Sequence, residues 1–477
     1  MSHARALAVN TGVQLIGKAI STVFGIFAIG LLTRLLGQEG FGLYTAANSY
    51  LQIFALALDL GINVTFTALL GEHAGDEAYE KRCVSALFTL RFLMASIVLI
   101  GSPLLWWLIY PQEHVMLLAI IALTGSVFFP ALSQILIGLQ QRHMRMHVPA
   151  IAEVIARTVL LGGLLLGIWL NLPALSLLWL VSLASVASFL WTLAFARPRG
   201  RIYWNWDPSF WIQTLQRSWP VGISIAFNLV YFKADSLILS RVRPLSEVGI
   251  YGAAYRVLEI LITVPFMYAG ILLPLLSEVW GQKDRARFSI YISRSLEAML
   301  YLTCPLLVGT ILLGPRLMTL VAGPEFVDSG RILRILILAV AVIYLNTITS
   351  HVIVALNKQR AMLPLYIIVA IATLTGYVVF IPRFGMWAAA WLTFASEAAI
   401  FCGSYTVTHR ASPFTLNLRT VFATIAASLC MGGVIWACST LPLGALLVLA
   451  IVSYTAALFA LGGITPEHLR LLFKRNV

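Results

Sequence analysis

The chain has 477 residues, 60% of them hydrophobic and only 11% charged, and its mean hydropathy is +0.91. Soluble domains carry about 25% charged residues, so this composition excludes a soluble enzyme or binding module and calls for a bilayer as solvent. The net charge of +13 then points to basic loops on one membrane side rather than to a nucleic-acid partner.

A membrane-spanning helix needs roughly 20 apolar residues. Spans are predicted near 12–36, 43–70, 85–109, 115–139, 150–170, 174–195, 218–240 and 250–277, and six more near 293–313, 331–356, 362–382, 387–408, 419–440 and 444–463. The first is too long for a signal-peptide core and no small-residue cleavage site follows it, so it is expected to stay in the chain. The turns between spans are short and marked by Pro or Gly, as at Pro111, Asn171 to Pro173 and Pro382 to Gly385. If the amino terminus is cytoplasmic, about 20 of the 32 basic residues fall in inner segments and about 6 in outer ones. That bias predicts fourteen spans with both termini cytoplasmic.

Residues 196–217 form the longest inner connection. Asp207 followed by Pro208 is a helix-start signal, and Trp204, Trp206, Phe210 and Trp211 beside arginines suit the headgroup layer. A short interfacial linker helix is expected there. The domain reading is therefore 1–195 as a six-helix bundle, 196–217 as linker, 218–408 as a second six-helix bundle, and 409–477 as two accessory helices with a cytoplasmic tail.

The halves repeat. A shift of 207 residues superposes Arg34 on Arg241, Gly42 on Gly249, Tyr44 on Tyr251, Ala46 on Ala253, Ala47 on Ala254 and Gln52 on Glu259. Both halves start on the same side, so the repeat is parallel, and transporters built this way bind substrate near mid-membrane and alternate access. The fold expected is an all-α integral membrane protein with helices 1–6 and 7–12 as pseudo-symmetric bundles around a central cavity.

Charges inside a bilayer cost roughly 2.5–3.5 kcal/mol each on insertion scales, so they usually face a partner or a cavity. Ser49, Gln52, Asp59, Asn63 and Thr67 share one face of helix 2; Ser224, Asn228, Tyr231 and Asp235 recur on helix 7; Arg256, Glu259 and Thr263 recur on helix 8. Gln14, Lys18, Ser21 and Gly25 follow one another on helix 1. Lys18, Arg34, Asp59, Asn63, Asp235, Arg241, Arg256 and Glu259 are the candidate cavity residues, with Arg34 and Arg241 as either an outer gate or interface anchors. Glu153 and Arg157 are expected to pair with each other, and Arg91 to snorkel. No catalytic residues, metal ligands or cofactors are expected. Residues 12–19 resemble a P-loop but Ala19 stands where Ser or Thr is needed. His143 and His147 lack an evident third ligand, and the five cysteines show no metal or disulfide spacing.

Four stretches resemble the polysaccharide transporter family, the Wzx-type oligosaccharide flippases of the multidrug/oligosaccharidyl-lipid/polysaccharide (MOP) superfamily. They are LTRLLGQEGFGLY at 32–44, KADSLILSRVRPLSEVGIYGAAYR at 233–256, VAGPEFVDSGRILRIL at 321–336 and IPRFGMWAAAWLTFASE at 381–397. Ala388 stands where that family often has Gly. The resemblance implies two six-helix bundles around a V-shaped cavity and a bacterial or archaeal plasma-membrane location. It implies export of oligosaccharide repeat units carried on undecaprenyl pyrophosphate for O-antigen, capsule or exopolysaccharide. Lys18, Arg34 and Arg256 lie on helices that line the cavity in such proteins. The partners implied are the lipid-linked oligosaccharide, membrane lipids and polymerase machinery, with a proton or sodium ion, carried by Asp59, Asp235 or Glu259, as coupling ion. Alternative readings are a multidrug/cation antiporter of the same superfamily and a lipid-linked peptidoglycan-precursor flippase.

Overall fold

A computed structural model of the protein describes residues 3–73, 75–196 and 202–463, without the side chains of 3–11, 15, 56–57, 220–221 and 223–232. The expected stripe residues Ser224, Asn228 and Tyr231, and the basic residues of the tail, lie outside what is described. Fourteen α-helices follow in order among the described residues. They are α1 His3–Asp59, α2 Ile62–Glu72, α3 Glu77–Ile109, α4 His114–Arg142, α5 His147–Trp169, α6 Ala174–Ala196 and α7 Pro208–Val242. Then come α8 Leu245–Gly281, α9 Arg285–Ala322, α10 Val327–Ala355, α11 Gln359–Phe384, α12 Met386–Ala411, α13 Leu418–Ala437 and α14 Leu443–Ala460. The protein is thus all-α across the membrane.

Twelve helices among the described residues are long and apolar enough to cross a bilayer. One covers 12–55, 44 residues, or about 66 Å at 1.5 Å per residue, twice the ~30 Å hydrocarbon core. Gly37 divides it with a non-helical backbone (φ 64°, ψ −175°), which glycine adopts without steric cost. With that helix counted as two spans and the 35-residue α7 added, the arrangement fits the expected fourteen.

Expected helix 2 is discontinuous. α1 stops at Asp59, Leu60 and Gly61 take positive φ of 37° and 75°, and α2 resumes at Ile62 for only 11 residues. A leucine in the left-handed region costs roughly 1–2 kcal/mol, so the surroundings must hold the break. On α7, Gly222 lies against it: a Cβ there would come within 2.6–2.8 Å of Leu60 backbone atoms.

The chain divides into two compact units, Met1–Gly249 and Ile250–Val477. In the first, α4 packs on α6, α3, α1 and α2, while α5 packs on α6 and α1. α7 packs on α1, α2 and α3 and so belongs to this unit, although the repeat assigns it to the second half. In the second unit, α10 packs on α9 and α12, and α11 on α12. The accessory helices α13 and α14 join α9 through Leu313, Met431, Ile435, Leu446 and Ala450. Their outer faces expose Phe422, Leu429, Trp436 and Ile451, which suits lipid contact.

The expected separate linker helix is replaced by something tighter. Residues 208–217 are the first turns of the continuous α7, started by Asp207, whose side chain accepts from Phe210 N at 3.2 Å, with Pro208 at the first position. Residues 202–207 run extended along α3. Tyr203 N donates to Ser85 Oγ at 3.4 Å, Asn205 N to Thr89 Oγ1 at 3.1 Å, and Trp211 Nε1 to the Ala86 carbonyl at 2.9 Å. Two hydroxyls four residues apart thus satisfy backbone N–H groups that the bilayer would leave unpaired. The Arg82 guanidinium bonded to Asp207 holds its carboxyl below the usual carboxylate range.

Candidate functional site

The break in the second span is surrounded by polar side chains. Asp59, the last residue of α1, accepts a hydrogen bond from Arg91 Nη2 of α3 at 2.8 Å. The same nitrogen donates to Asn63 Oδ1 at 3.3 Å, on the first turn of α2. Asn63 Nδ2 donates in turn to Gln134 Oε1 of α4. Arg91 is 1% exposed while the Asp59 side chain is 23% exposed. The cation is therefore sunk in the bundle, and the carboxylate faces partly outward from it. Arg91 Nε has no hydrogen-bond partner among the described residues.

Arg91 does not snorkel. Its side chain is 1% exposed and turned into the bundle, where Nη2 meets Asp59 rather than the membrane surface. A buried guanidinium requires a counter-charge, which Asp59 supplies. Its isolation within an apolar run was the signal in the sequence.

Near the start of α1, Lys18 Nζ binds Glu153 Oε1 of α5 at 2.7 Å. Glu153 thus reaches across to α1 rather than along its own helix to Arg157. The Arg157 guanidinium lies beside Gly25, where a Cβ would meet Nε at 3.5 Å. At the other end of the unit, Arg241 binds Glu113 at 3.2 Å and lies 3.8 Å over the Tyr110 ring. Arg34 is exposed, near the Gly37 bend. Asp235 is 1% exposed and accepts from the Ser236 N–H. In the second unit, Arg256 binds Glu259 one turn away at 2.7 Å.

The structure thus brings Asp59 and Asn63 together. It gives Lys18, Arg241 and Arg256 each a carboxylate, so these candidate cations are neutralised locally rather than standing as bare positive charge. Glu113, Gln134 and Glu153 complete these arrangements and were not among the expected site residues. Single polar residues on otherwise apolar helix faces carry no periodic signal. A further, partly buried group, Asn346 with Ser350 on α10 and Ser404 on α12, also escaped the sequence reading; Asn346 Oδ1 accepts from Ser404 Oγ at 2.8 Å.

The Gly42 and Gly249 pair gives the repeat a physical basis. A Cβ on Gly42 would fall 1.8 Å from the Leu245 carbonyl oxygen, and one on Gly249 would fall 2.0 Å from that of Gln38. Gln38 and Leu245 are themselves related by the 207-residue shift. The contact is reciprocal, as a local pseudo-two-fold demands.

A family described as polysaccharide biosynthesis protein matches residues 7–280, and the MatE family matches 220–380. A probable low-salt glycan biosynthesis flippase of Haloferax volcanii is 22% identical over 439 residues, covering 88% of each chain. A putative O-antigen transporter of Shigella dysenteriae is 25% identical over 177 residues, 37% of this chain and 44% of that protein. Among solved structures, the lipid II flippase MurJ in an inward closed conformation superposes with a TM-score of 0.78 at 15% identity, over 96% of this chain and 99% of that one. At that identity the likeness establishes the fold. The family match covers more than half of the sequence, and it agrees with the four motifs. The chain belongs to the polysaccharide biosynthesis protein family and is a membrane transporter of the MOP superfamily.

Proposed function

We propose that this protein moves a glycan carried on undecaprenyl pyrophosphate from the inner to the outer leaflet of the plasma membrane. The observation that carries the reading is the Asp59–Arg91–Asn63–Gln134 cluster at a helix break, inside the residues matched by the family. The names of the two relatives, a glycan flippase and an O-antigen transporter, support the same substrate class. A sugar headgroup cannot cross hydrocarbon unaided, because each unsatisfied polar group costs several kcal/mol. Intramembrane polar side chains replace its water during passage, while the lipid tail stays in the bilayer.

Lys18, Arg157 and Arg256 supply the cationic groups for the pyrophosphate. Lys18 and Arg256 reach it by exchanging their carboxylate partners for phosphate oxygens. The cycle is alternating access, with 1–195 and 218–408 as the moving halves, 196–217 as their link and 409–477 as accessory helices. Arg34 and Arg241 act at the outer side. Asp59, Asp235 or Glu259 carries a coupling proton or sodium ion, and the glycan passes to the polymerase outside.

The test is made in cells deleted for the chain and complemented with Lys18→Ala plus Arg256→Ala. Surface polymer should be lost and lipid-linked repeat units should accumulate, with the protein present at its normal level. Normal export by the double mutant would overturn the cationic mechanism. Lipid-linked glycan that stays at its usual level in the deletion itself would overturn the flippase reading.

A further inference from the structure

Resting on that reading, we infer that the Asp59–Asn63–Gln134 cluster is a subsite for the hydroxyl groups of an uncharged sugar, with Arg91 as its positioning residue. Arg91 Nη2 occupies one oxygen of Asp59 and the Asn63 carbonyl oxygen, and Asn63 Nδ2 occupies the Gln134 carbonyl oxygen. Two groups remain without a hydrogen-bond partner among the described residues: Asp59 Oδ2, an acceptor only, and the Gln134 amide nitrogen, a donor only. A sugar hydroxyl is both donor and acceptor, and two adjacent hydroxyls satisfy such a pair in one plane. A phosphate offers acceptors alone and would leave Asp59 facing an anion.

Burial gives the cluster its direction. With Arg91 at 1% exposure and Asp59 at 23%, only the acidic member of the pair is open to a ligand. Arg91 therefore holds Asp59 and Asn63 in position from behind, across the break at Leu60 and Gly61. The ion pair is formally neutral, yet its accessible side presents a carboxylate oxygen. A sugar bearing its own carboxylate would bring two anions together, and that repulsion discriminates against acidic sugars. The pyrophosphate is left to the Lys18 and Arg157 region of α1 and α5.

The experiment uses the full chain purified in detergent. Affinities are measured by native mass spectrometry for three probes: undecaprenyl pyrophosphate, the same lipid bearing a neutral disaccharide, and the same lipid bearing a disaccharide with a terminal uronic acid. The neutral glycolipid should bind more tightly than the bare lipid, and the uronic one less tightly than the neutral one. Asn63→Ala and Gln134→Ala should each weaken the neutral glycolipid by about threefold to tenfold, the loss expected for one hydrogen bond, and leave the bare lipid unchanged. Arg91→Leu should remove the sugar increment. Arg91→Lys should restore it, because a single nitrogen makes both bonds. The inference is overturned if the variants keep the wild-type increment, if they weaken both lipids equally, or if wild type shows no increment while binding the bare lipid. Wild type that binds none of the three would overturn the flippase reading itself.

Discussion

Asp59 and Arg91 are unequal partners, and their inequality makes a prediction. Removing one member of a buried ion pair costs about 3–5 kcal/mol, because the other charge is left in a poor solvent. Arg91 is 1% exposed and Asp59 23%, so the stranded arginine is the worse case. Asp59→Leu should therefore lower thermal stability more than Arg91→Leu, by several degrees in a detergent unfolding assay. The double variant Asp59→Leu with Arg91→Leu should recover most of the loss, as apolar replacements of buried pairs commonly do. A double variant less stable than Asp59→Leu alone would show that the pair is held by something other than mutual neutralisation. The same logic explains why Lys18, Arg241 and Arg256 each carry a carboxylate partner. A basic side chain at membrane depth is retained only where its charge has an answer.

Helices in this protein meet where glycine lets them. The Gly42 and Gly249 crossing brings each backbone onto the carbonyl of the other segment, with notional Cβ distances of 1.8 and 2.0 Å. No rotamer change relieves a clash with backbone, so Gly42→Ala and Gly249→Ala should each push the segments apart. A loss of about 1–3 kcal/mol or more is expected for such overpacking. Gly101, on α3, has nothing within 4 Å of its notional Cβ. Gly101→Ala should instead be neutral or stabilising by up to about 1 kcal/mol through helix propensity. Thermal unfolding of the three variants side by side checks both halves of the statement; equal effects at positions 42 and 101 would contradict it. α2 carries the same lesson in another form. Its separation from α1 follows from a positive-φ pair at 60–61 with a glycine of α7 seated against it.

A fourteen-span arrangement puts both termini on one side, and the orientation expected from the bias of the basic residues makes that side the cytoplasm. Reporter fusions after Gln112 and Gly323 should report an outer location, and fusions after Gln282 and at the carboxy terminus an inner one. A carboxy-terminal reporter active outside would refute the orientation. The proposed glycolipid transport depends on that orientation, since under that proposal the polar cluster meets a headgroup presented from the cytoplasmic leaflet.

Much of this protein was legible in the order of its residues. Apolar runs of bilayer length, separated by short turns, determine a polytopic helical body, because only closed hydrogen-bonding survives in hydrocarbon. The 207-residue shift identifies the repeat, and Asp59 and Asn63 mark a polar face because their spacing is helical. Pairing is another matter. Arg91 finds Asp59, Lys18 finds Glu153 and Arg241 finds Glu113 across helices distant in sequence, and no local period encodes that. The strap at 202–207 follows from the hydroxyls of Ser85 and Thr89, which belong to a helix more than a hundred residues earlier. The break after Asp59 is likewise a tertiary decision. Gly61 permits it, but an apolar run through the same residues would read as continuous, and the packing of α7 against Leu60 together with the Arg91 bridge from Asp59 to Asn63 fixes the geometry of the break.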